Sequence, residues 1–164
     1  MENNKPQVEK YTLDSDELAG LIRATLADGT TISFNAPGHS MLPFIHSGDK
    51  IFVSPIDRSQ IRLGDILVYV HPRDGKVLAH RLVCAEDEKL LCKGDNVNLQ
   101  SDGWISFADV LGRVSRIERN GKSLHLGLGP ERRLIARLSR ERKLVPILNF
   151  YRRHLRWLSK NKKI

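Results

Sequence analysis

Ser40 lies in a stretch that is unusual for a connection between two strands. Residues 37–44 read PGHSMLPF, so the apolar Met41 and Leu42 are enclosed by turn-forming residues directly after a strand-like run. A serine hydroxyl is a weak nucleophile unless a nearby base takes its proton, and the base works best when a third group orients it. The stretch therefore suggests a serine nucleophile, for which the rest of the chain must supply a base and an acid.

The candidate base is His80, which interrupts the apolar run VLAHRLV. A lone histidine in a strand is more often structural, so its neighbours matter. The segment VLAHRLVCAEDEKLLCKGDN predicts a β-hairpin, and a two-residue turn at Asp87-Glu88 places His80 opposite Asp95, with Cβ atoms about 5 Å apart. Asp102, later in the same loop, is a second candidate acid. The hairpin register favours Asp95, but both aspartates also suit a loop, so the identity of the acid stays open.

One helix followed by a β-rich domain must position these groups. Asp14 or Ser15 caps a predicted helix that runs to about Ala27. The pattern then changes to period two, with β-branched residues and turn residues between the runs, and predicts seven short strands. The runs are TTISFNA, KIFVSPI, DILVYV, VLAHRLV, KLLCKG, VLGRVSRIE and, after a hairpin turn at Asn120-Gly121, KSLHLGL. The predicted fold class is mainly β, of the α+β type.

Length and composition indicate one compact domain with an appendage. The chain has 164 residues, 18.6 kDa and 40% apolar residues. Cys84 and Cys92 fall in neighbouring predicted strands and are expected to be reduced core thiols. No run approaches the roughly 18 to 20 apolar residues of a membrane span, and the N-terminus lacks the apolar region of a secretory signal. These features predict a cytoplasmic protein.

The positive charge belongs to the end of the chain. Residues 130–164 hold 12 Lys or Arg and 2 Glu, whereas residues 1–129 hold 15 basic and 17 acidic residues, so the net charge of +8 arises in the tail. Nucleic-acid binding is therefore not favoured for the main domain. The predicted organisation is an N-terminal helix region (1–29), a β domain (30–129) and a basic helical tail (130–164).

The tail is predicted to be helical from Glu131 to Val145, to break or kink at Pro146, and to continue as a second helical segment. That segment has an apolar stripe with basic residues beside it. The stripe contains Leu148, Tyr151, Leu155 and Leu158, and the basic residues are Arg152, Arg153, Arg156 and Lys160. Either the stripe packs on the β domain, or residues 131–164 lie on an anionic membrane surface, or they bind an acidic partner or nucleic acid; the membrane contact predicts a peripheral inner-membrane location.

Six sequence boxes together resemble those of signal peptidase I, in the branch found in the endoplasmic reticulum and in archaea. The boxes are GHSMLP, SGDKIFVSPI, RLGDILVY, AHRLV, CKGDN and SDGW followed by DVLGRV, in the family's order over residues 30–118. That branch uses a histidine where common bacterial enzymes use a lysine. The resemblance implies a serine endopeptidase with an antiparallel β fold shared with self-cleaving SOS-type repressors, acting on a peptide or protein substrate.

The resemblance also implies roles for single residues. Ser40 is the nucleophile and His80 the general base, and the later aspartate of the loop, Asp102, is the usual acid, although the hairpin pattern favours Asp95. The Ser40 N–H forms the oxyanion hole with help from the preceding residues, and the following residues form an apolar floor beside a peptide that binds as an added strand. The expected oxyanion and substrate-binding residues are Gly38, His39, Met41, Leu42 and Pro43.

Two departures from that family keep a second function open. Signal peptidases carry membrane anchors and act outside the cytoplasm, whereas this sequence predicts neither an anchor nor export. A leader or precursor peptide inside the cell is therefore the expected substrate. The alternative is a self-cleaving or non-enzymatic regulator with the repressor-like fold, acting through the basic tail. No cofactor is expected, and His39, His46, His71 and His80 lack the spacing of metal ligands.

Overall fold

The computed structural model describes residues 14–98 and 101–161, without the side chains of residues 155–161. Residues 1–13 of the predicted N-terminal region therefore lie outside the described residues. The side chains of the predicted stripe and basic positions Leu155, Leu158, Arg156 and Lys160 are likewise not described. The described residues form a mainly antiparallel β-sheet with a few helices, which confirms the predicted α+β fold class.

Three α-helices and eight strands are present in the described ranges. The helices are α1 (Ser15–Ala27), α2 (Arg132–Arg140) and α3 (Leu144–Asn161). The strands are β1 (Ile32–Asn35), β2 (Lys50–Ser54), β3 (Ile66–Val70), β4 (Val77–Glu86), β5 (Lys89–Lys93), β6 (Trp104–Ser106), β7 (Val110–Arg119) and β8 (Lys122–Leu124).

The strands form one sheet in the order β1-β2-β7-β3-β4-β5-β6, and β8 pairs with β7. All seven predicted strands are present. The sequence pattern missed β6, which pairs with β5 in a segment predicted to be a loop. Three residues are too few to show a period of two, so only pairing with a neighbour reveals this strand.

Helix α1 begins as predicted. The Asp14 side chain accepts a hydrogen bond from the Glu17 N–H at 2.8 Å, and the Glu17 side chain accepts from the Asp14 N–H at 3.1 Å. This reciprocal pair satisfies two backbone donors that the first turn leaves free. The helix packs on β7 at Gly112, where an added Cβ would lie 2.8 Å from the Leu26 side chain.

Strand β3 runs through the centre of the sheet and is buried on both faces. Ile66 and Val68 join the main core, which also receives the buried side of α1. Leu67 and Tyr69 point the other way, into a second cluster that includes Cys92. The continuous apolar run of β3 therefore reflects two cores, one on each side of the strand.

The tail contains the two predicted helices, but the break between them is misplaced in the prediction. Helix α2 ends before Arg142, which has a positive φ of 60°, and the Lys143 N–H donates to the Leu138 carbonyl at 2.8 Å. This is a Schellman-type end with arginine in the position usually taken by glycine. Pro146 lies in the first turn of α3, where a missing N–H costs no helical hydrogen bond.

The first half of the tail is part of the folded body. Ile135 and Leu144 are buried against Phe44, and the Lys93 ammonium group donates to the Ser139 carbonyl at 2.9 Å. No helix in the described part of the chain combines the length and the hydropathy that crossing a bilayer requires.

Candidate active site

Ser40, His80 and Asp102 are in contact in the structure, although they are up to 62 residues apart in the chain. The His80 Nε2 lies 2.8 Å from the Ser40 hydroxyl oxygen, and His80 Nδ1 lies 2.7 Å from Asp102 Oδ2. Strand β4 supplies the histidine, the turn after β1 supplies the serine, and the segment before β6 supplies the aspartate. The three groups have the order and spacing of a nucleophile, a base and an orienting acid.

The hydrogen bonds determine where the protons lie. The Asp102 carboxylate only accepts, so His80 Nδ1 carries a proton and donates it to Asp102. In a neutral imidazole the other nitrogen is then an acceptor, and the Ser40 hydroxyl donates to it. This is the tautomer in which His80 is ready to remove the hydroxyl proton.

Tyr69 is a fourth member of this network. Its hydroxyl donates to Asp102 Oδ2 at 2.6 Å, the same oxygen that His80 uses. Burial raises the pKa of Tyr69, and the nearby Asp102 charge adds to the effect, so the phenol remains a donor. Partial burial works to raise the pKa of Asp102 as well, but the hydrogen bond and charge of His80, with Tyr69, outweigh it and hold that pKa below its usual value. Asp102 is therefore ionised near neutral pH.

The β4–β5 hairpin has the predicted two-residue turn but departs from the predicted register further along. Next to the turn, Glu86 lies opposite Lys89 and Cys84 opposite Leu91, as expected. A β-bulge between Leu82 and Cys84 then shifts the pairing by one residue. Because successive side chains of a strand point to opposite faces, such a shift moves every later partner to the other face.

The bulge separates Asp95 from His80. Beyond it Arg81 faces Lys93, and Arg81 donates to Asp95 from Nε at 2.8 Å and from a terminal nitrogen at 2.7 Å. Both side chains of this ion pair are 0% exposed. The expectation that Asp95 faces His80 is therefore wrong, and the carboxylate on His80 is that of Asp102.

Arg81 is a structural centre that the sequence analysis did not identify. Besides Asp95, it donates to the carbonyls of Gly64 and Gly127 at 2.8 Å each, and its guanidinium lies 5.3 Å from the centre of the Phe44 ring. A buried charge must be paired and fully hydrogen-bonded, and all these partners come from different loops. Arg81 thereby ties the turn that carries Ser40 to the hairpin that carries His80.

The loop after β5 holds the serine turn directly. The Asn96 N–H donates to the Ser40 carbonyl at 2.7 Å, and the Asn96 side chain donates to the His39 carbonyl at 3.3 Å. Gly94 lies so close that an added Cβ would be 2.8 Å from the Ser40 carbonyl oxygen. In the sequence Gly94 and Asn96 suggested only a loop, because their contact with Ser40 is a long-range one.

The other expected substrate-binding residues differ in their exposure to solvent. Gly38 and His39 are exposed, and Gly38 has a positive φ of 77° that favours glycine. Leu42 and Pro43 are half-buried. Met41 is only 5% exposed and packs in the main core, so its side chain offers little surface for the expected apolar floor beside a peptide. Its burial anchors the turn from inside instead.

Cys84 and Cys92 are free and buried, as expected from their strands. Burial raises the pKa of both thiols, which keeps them protonated. No group of three or more His, Cys, Asp or Glu side chains within residues 14–98 and 101–161 is arranged to hold a metal ion.

Part of the chain is similar in sequence to the signal peptidase complex catalytic subunit SEC11C of mammals. The proteins of Homo sapiens, Mus musculus and Canis lupus familiaris are each 33% identical to it over 88 residues, which cover 46% of this chain and 45% of theirs. The chain is thus similar in part to a signal peptidase subunit. It spans less than half the length of these curated relatives. No family model and no solved structure matches it.

This similarity extends over part of the chain and part of each relative. It does not by itself assign a role to any residue. The geometry around Ser40 is the independent observation from which a mechanism can be argued.

Proposed function

We propose that this protein is a serine endopeptidase that cleaves a leader or precursor peptide, with Ser40 as nucleophile, His80 as general base and Asp102 as the orienting acid. The observation that carries the proposal is the continuous hydrogen-bond chain from the Ser40 hydroxyl through His80 to Asp102. The partial similarity to a signal peptidase catalytic subunit supports the same class of reaction.

In the proposed reaction, the Ser40 oxygen attacks the carbonyl carbon of the scissile peptide bond while His80 Nε2 takes the hydroxyl proton. The resulting imidazolium is stabilised by ionised Asp102, and the backbone N–H of Ser40 donates to the developing oxyanion. His80 then gives its proton to the leaving amine. Water, deprotonated by His80 in turn, hydrolyses the acyl-enzyme and frees Ser40.

Replacing Ser40 by alanine tests the nucleophile. We expect Ser40→Ala to abolish cleavage while the circular dichroism spectrum stays unchanged, because the removed hydroxyl is small and lies at a half-buried turn. The measurement compares new N-termini in cell extract incubated with wild type, with Ser40→Ala and with Ser47→Ala, a matched exposed serine. Sites cut by wild type and by Ser47→Ala, but not by Ser40→Ala, also identify the substrate.

Two other outcomes contradict this proposal. Cleavage retained by Ser40→Ala excludes Ser40 as the nucleophile. New N-termini confined to the protein's own chain, or an extract unchanged by wild type, favour the self-cleaving or non-enzymatic regulator.

We further propose that α3 holds the protein on an anionic membrane surface. Ile147, Phe150 and Tyr151 lie on one side of the helix at i, i+3 and i+4, and Phe150 and Tyr151 are 69% and 62% exposed. The sequence of α3 contains no acidic residue, while residues 130–164 as a whole are strongly basic. Exposed aromatic residues beside positive charge suit the headgroup region of anionic lipid. The peripheral inner-membrane location of the protein stays a prediction.

A further inference from the structure

A second histidine contacts the site from the end of β3. The His71 Nδ1 lies 2.8 Å from Asp74 Oδ1, and His71 Nε2 lies 3.1 Å from the backbone carbonyl oxygen of Asp102. The ring is 13% exposed, and Asp74 belongs to the turn that follows it. The proposed reaction uses neither residue.

Both partners of the His71 ring are acceptors. A backbone carbonyl has no proton to give, and the ammonium group of Lys76, assisted by His71, holds the pKa of Asp74 down to about 2, so that Asp74 is a carboxylate. A neutral imidazole has one N–H, whereas the protonated ring has two. The two hydrogen bonds therefore coexist only when His71 is an imidazolium.

The hydrogen bond from His71 to the Asp102 backbone carbonyl adds to the contacts that hold Asp102 in place. Its backbone N–H donates to the Cys92 carbonyl at 3.1 Å, and its carboxylate accepts from His80 and Tyr69. Within the described residues, the His71 bond is what ties the Asp102 carbonyl to the β3–β4 hairpin. A peptide rotation there would swing the carboxylate away from His80.

We propose that His71 is a positioning residue whose protonated ring, held by Asp74, clamps the backbone of Asp102 so that its carboxylate stays on His80. The inference rests on the proposed peptidase function. It adds an opposite proton requirement, because His80 must be neutral to act as a base whereas His71 must be charged to hold both acceptors. Activity therefore depends on both protonation states being present at the same pH.

Several charged or titratable groups surround this clamp. They are Asp74 and Lys76 in the same turn, Asp102, Tyr69 and His80 on the active-site side, and Asp16 of α1, whose carboxylate approaches Gly75. Of these, Asp74 alone contacts the Nδ1 side of His71 and so decides whether that nitrogen must carry a proton.

Asp74→Asn tests the proton requirement. An asparagine amide can donate to Nδ1, so a neutral His71 keeps both bonds, with Nε2–H on the Asp102 carbonyl. We expect the ratio of the Asp74→Asn kcat to the wild-type kcat to rise with pH, because the variant no longer needs a charged His71. The exposed neighbour Arg73→Gln, as control, should keep the wild-type profile. His71→Phe, which has no ring N–H, should lower kcat about 10- to 100-fold across the range with a smaller change in KM.

Nuclear magnetic resonance of ¹⁵N-histidine-labelled protein tests the clamp without any substrate. We expect two ring N–H groups on His71 at a pH at which His80 has one, and loss of the His80 Nδ1–H signal in folded His71→Phe. A single ring N–H on His71 under those conditions overturns the inference, as does a pH profile of Asp74→Asn that superimposes on wild type. If wild type cleaves no peptide, the peptidase proposal fails while the spectra still decide whether the clamp exists.

Discussion

Two carboxylate pairs lie side by side in this protein, one with a histidine and one with an arginine. Their exposure to solvent differs, and it decides whether the basic partner can exchange a proton. His80 and Asp102 are 9% and 18% exposed, whereas Arg81 and Asp95 are completely buried. A guanidinium stays charged at any ordinary pH, so a buried Arg81 requires a permanent counterion. An imidazole at the edge of solvent can gain and lose a proton, which a general base must do.

Neutralising each aspartate in turn should separate the two roles. We expect Asp102→Asn to lower kcat by about 10³- to 10⁴-fold with little change in the free energy of unfolding, since the histidine tautomer is lost but the side-chain shape is kept. Asp95→Asn should instead lower the free energy of unfolding by about 3–5 kcal/mol, since it leaves a buried arginine unpaired. Peptide kinetics and urea denaturation of both variants measure the two effects.

The opposite pattern would reverse the assignment of the acid. An Asp95→Asn variant with normal stability and a kcat reduced a thousandfold would return that role to Asp95. Tyr69→Phe is a milder change at the same carboxylate than Asp102→Asn. It removes one of two donors to Asp102 Oδ2 and leaves His80 in place.

At the level of elements, the serine turn is positioned by a loop that is remote in sequence. In the segment after β5, Asp95 forms the ion pair with Arg81, and the Asn96 N–H donates to the Ser40 carbonyl. Gly94 permits this contact by the absence of a side chain. Its φ is not in the left-handed region, so the requirement for glycine arises from close approach and not from backbone conformation.

Gly94→Ala should therefore displace Ser40. The added Cβ would lie 2.8 Å from the Ser40 carbonyl oxygen, nearer than real Cβ atoms come, and a tight 3.1 Å from the Ser40 Cβ, so the turn must move. A shift of this kind is expected to lower kcat about 10- to 100-fold. Gly20→Ala in α1, where an added Cβ meets open space, is the matched control and should stabilise the fold by about 0.4–1 kcal/mol with unchanged kcat. An unchanged kcat in Gly94→Ala would show that the turn adapts without cost to the site.

At the scale of the whole molecule, the tail both completes the fold and offers a free surface. The side of α2 and α3 that contains Ile135 and Leu144 covers Phe44 behind the serine turn. Leu148 of the predicted stripe packs against that cluster, whereas Tyr151 is exposed, so the single stripe seen in the sequence divides between the body and the surface. Deleting residues 131–164 would remove core residues, and point substitutions on the exposed side are the cleaner test.

Replacing the exposed side chains should weaken lipid binding selectively. We expect wild type to bind vesicles that contain phosphatidylglycerol, more weakly at high salt, and to bind phosphatidylcholine vesicles poorly. Serine at positions 147, 150 and 151 should reduce that binding at least tenfold, because each apolar side chain contributes about 1.5–3 kcal/mol when fully buried. Vesicle sedimentation measures the effect.

Trp104→Ser is the control for this surface. Trp104 is also exposed, but it lies on the edge strand β6 and not on α3. The membrane proposal fails if the triple variant binds like wild type, or if Trp104→Ser loses as much binding as the triple variant does.

The sequence by itself determined the local elements and the two residues at the centre of the candidate site. Periodicity, capping and turn residues predicted α1, seven strands and the two tail helices, because those patterns depend on neighbours along the chain. Ser40 was identified because the apolar Met41 and Leu42 follow it inside a turn, and His80 because it interrupts an apolar strand. The domain boundaries at residues 29/30 and 129/130 stay a prediction.

The tertiary structure decided which groups meet. A single bulge in β4 moved Asp95 to the face of Arg81, and a face change of that kind leaves no trace in a period-two pattern. Strand β6, the contacts of Tyr69 and His71 with Asp102, and the approach of Gly94 to Ser40 likewise depend on pairing between distant segments. Sequence patterns report which face a residue prefers, whereas the partner on that face is chosen by register and packing.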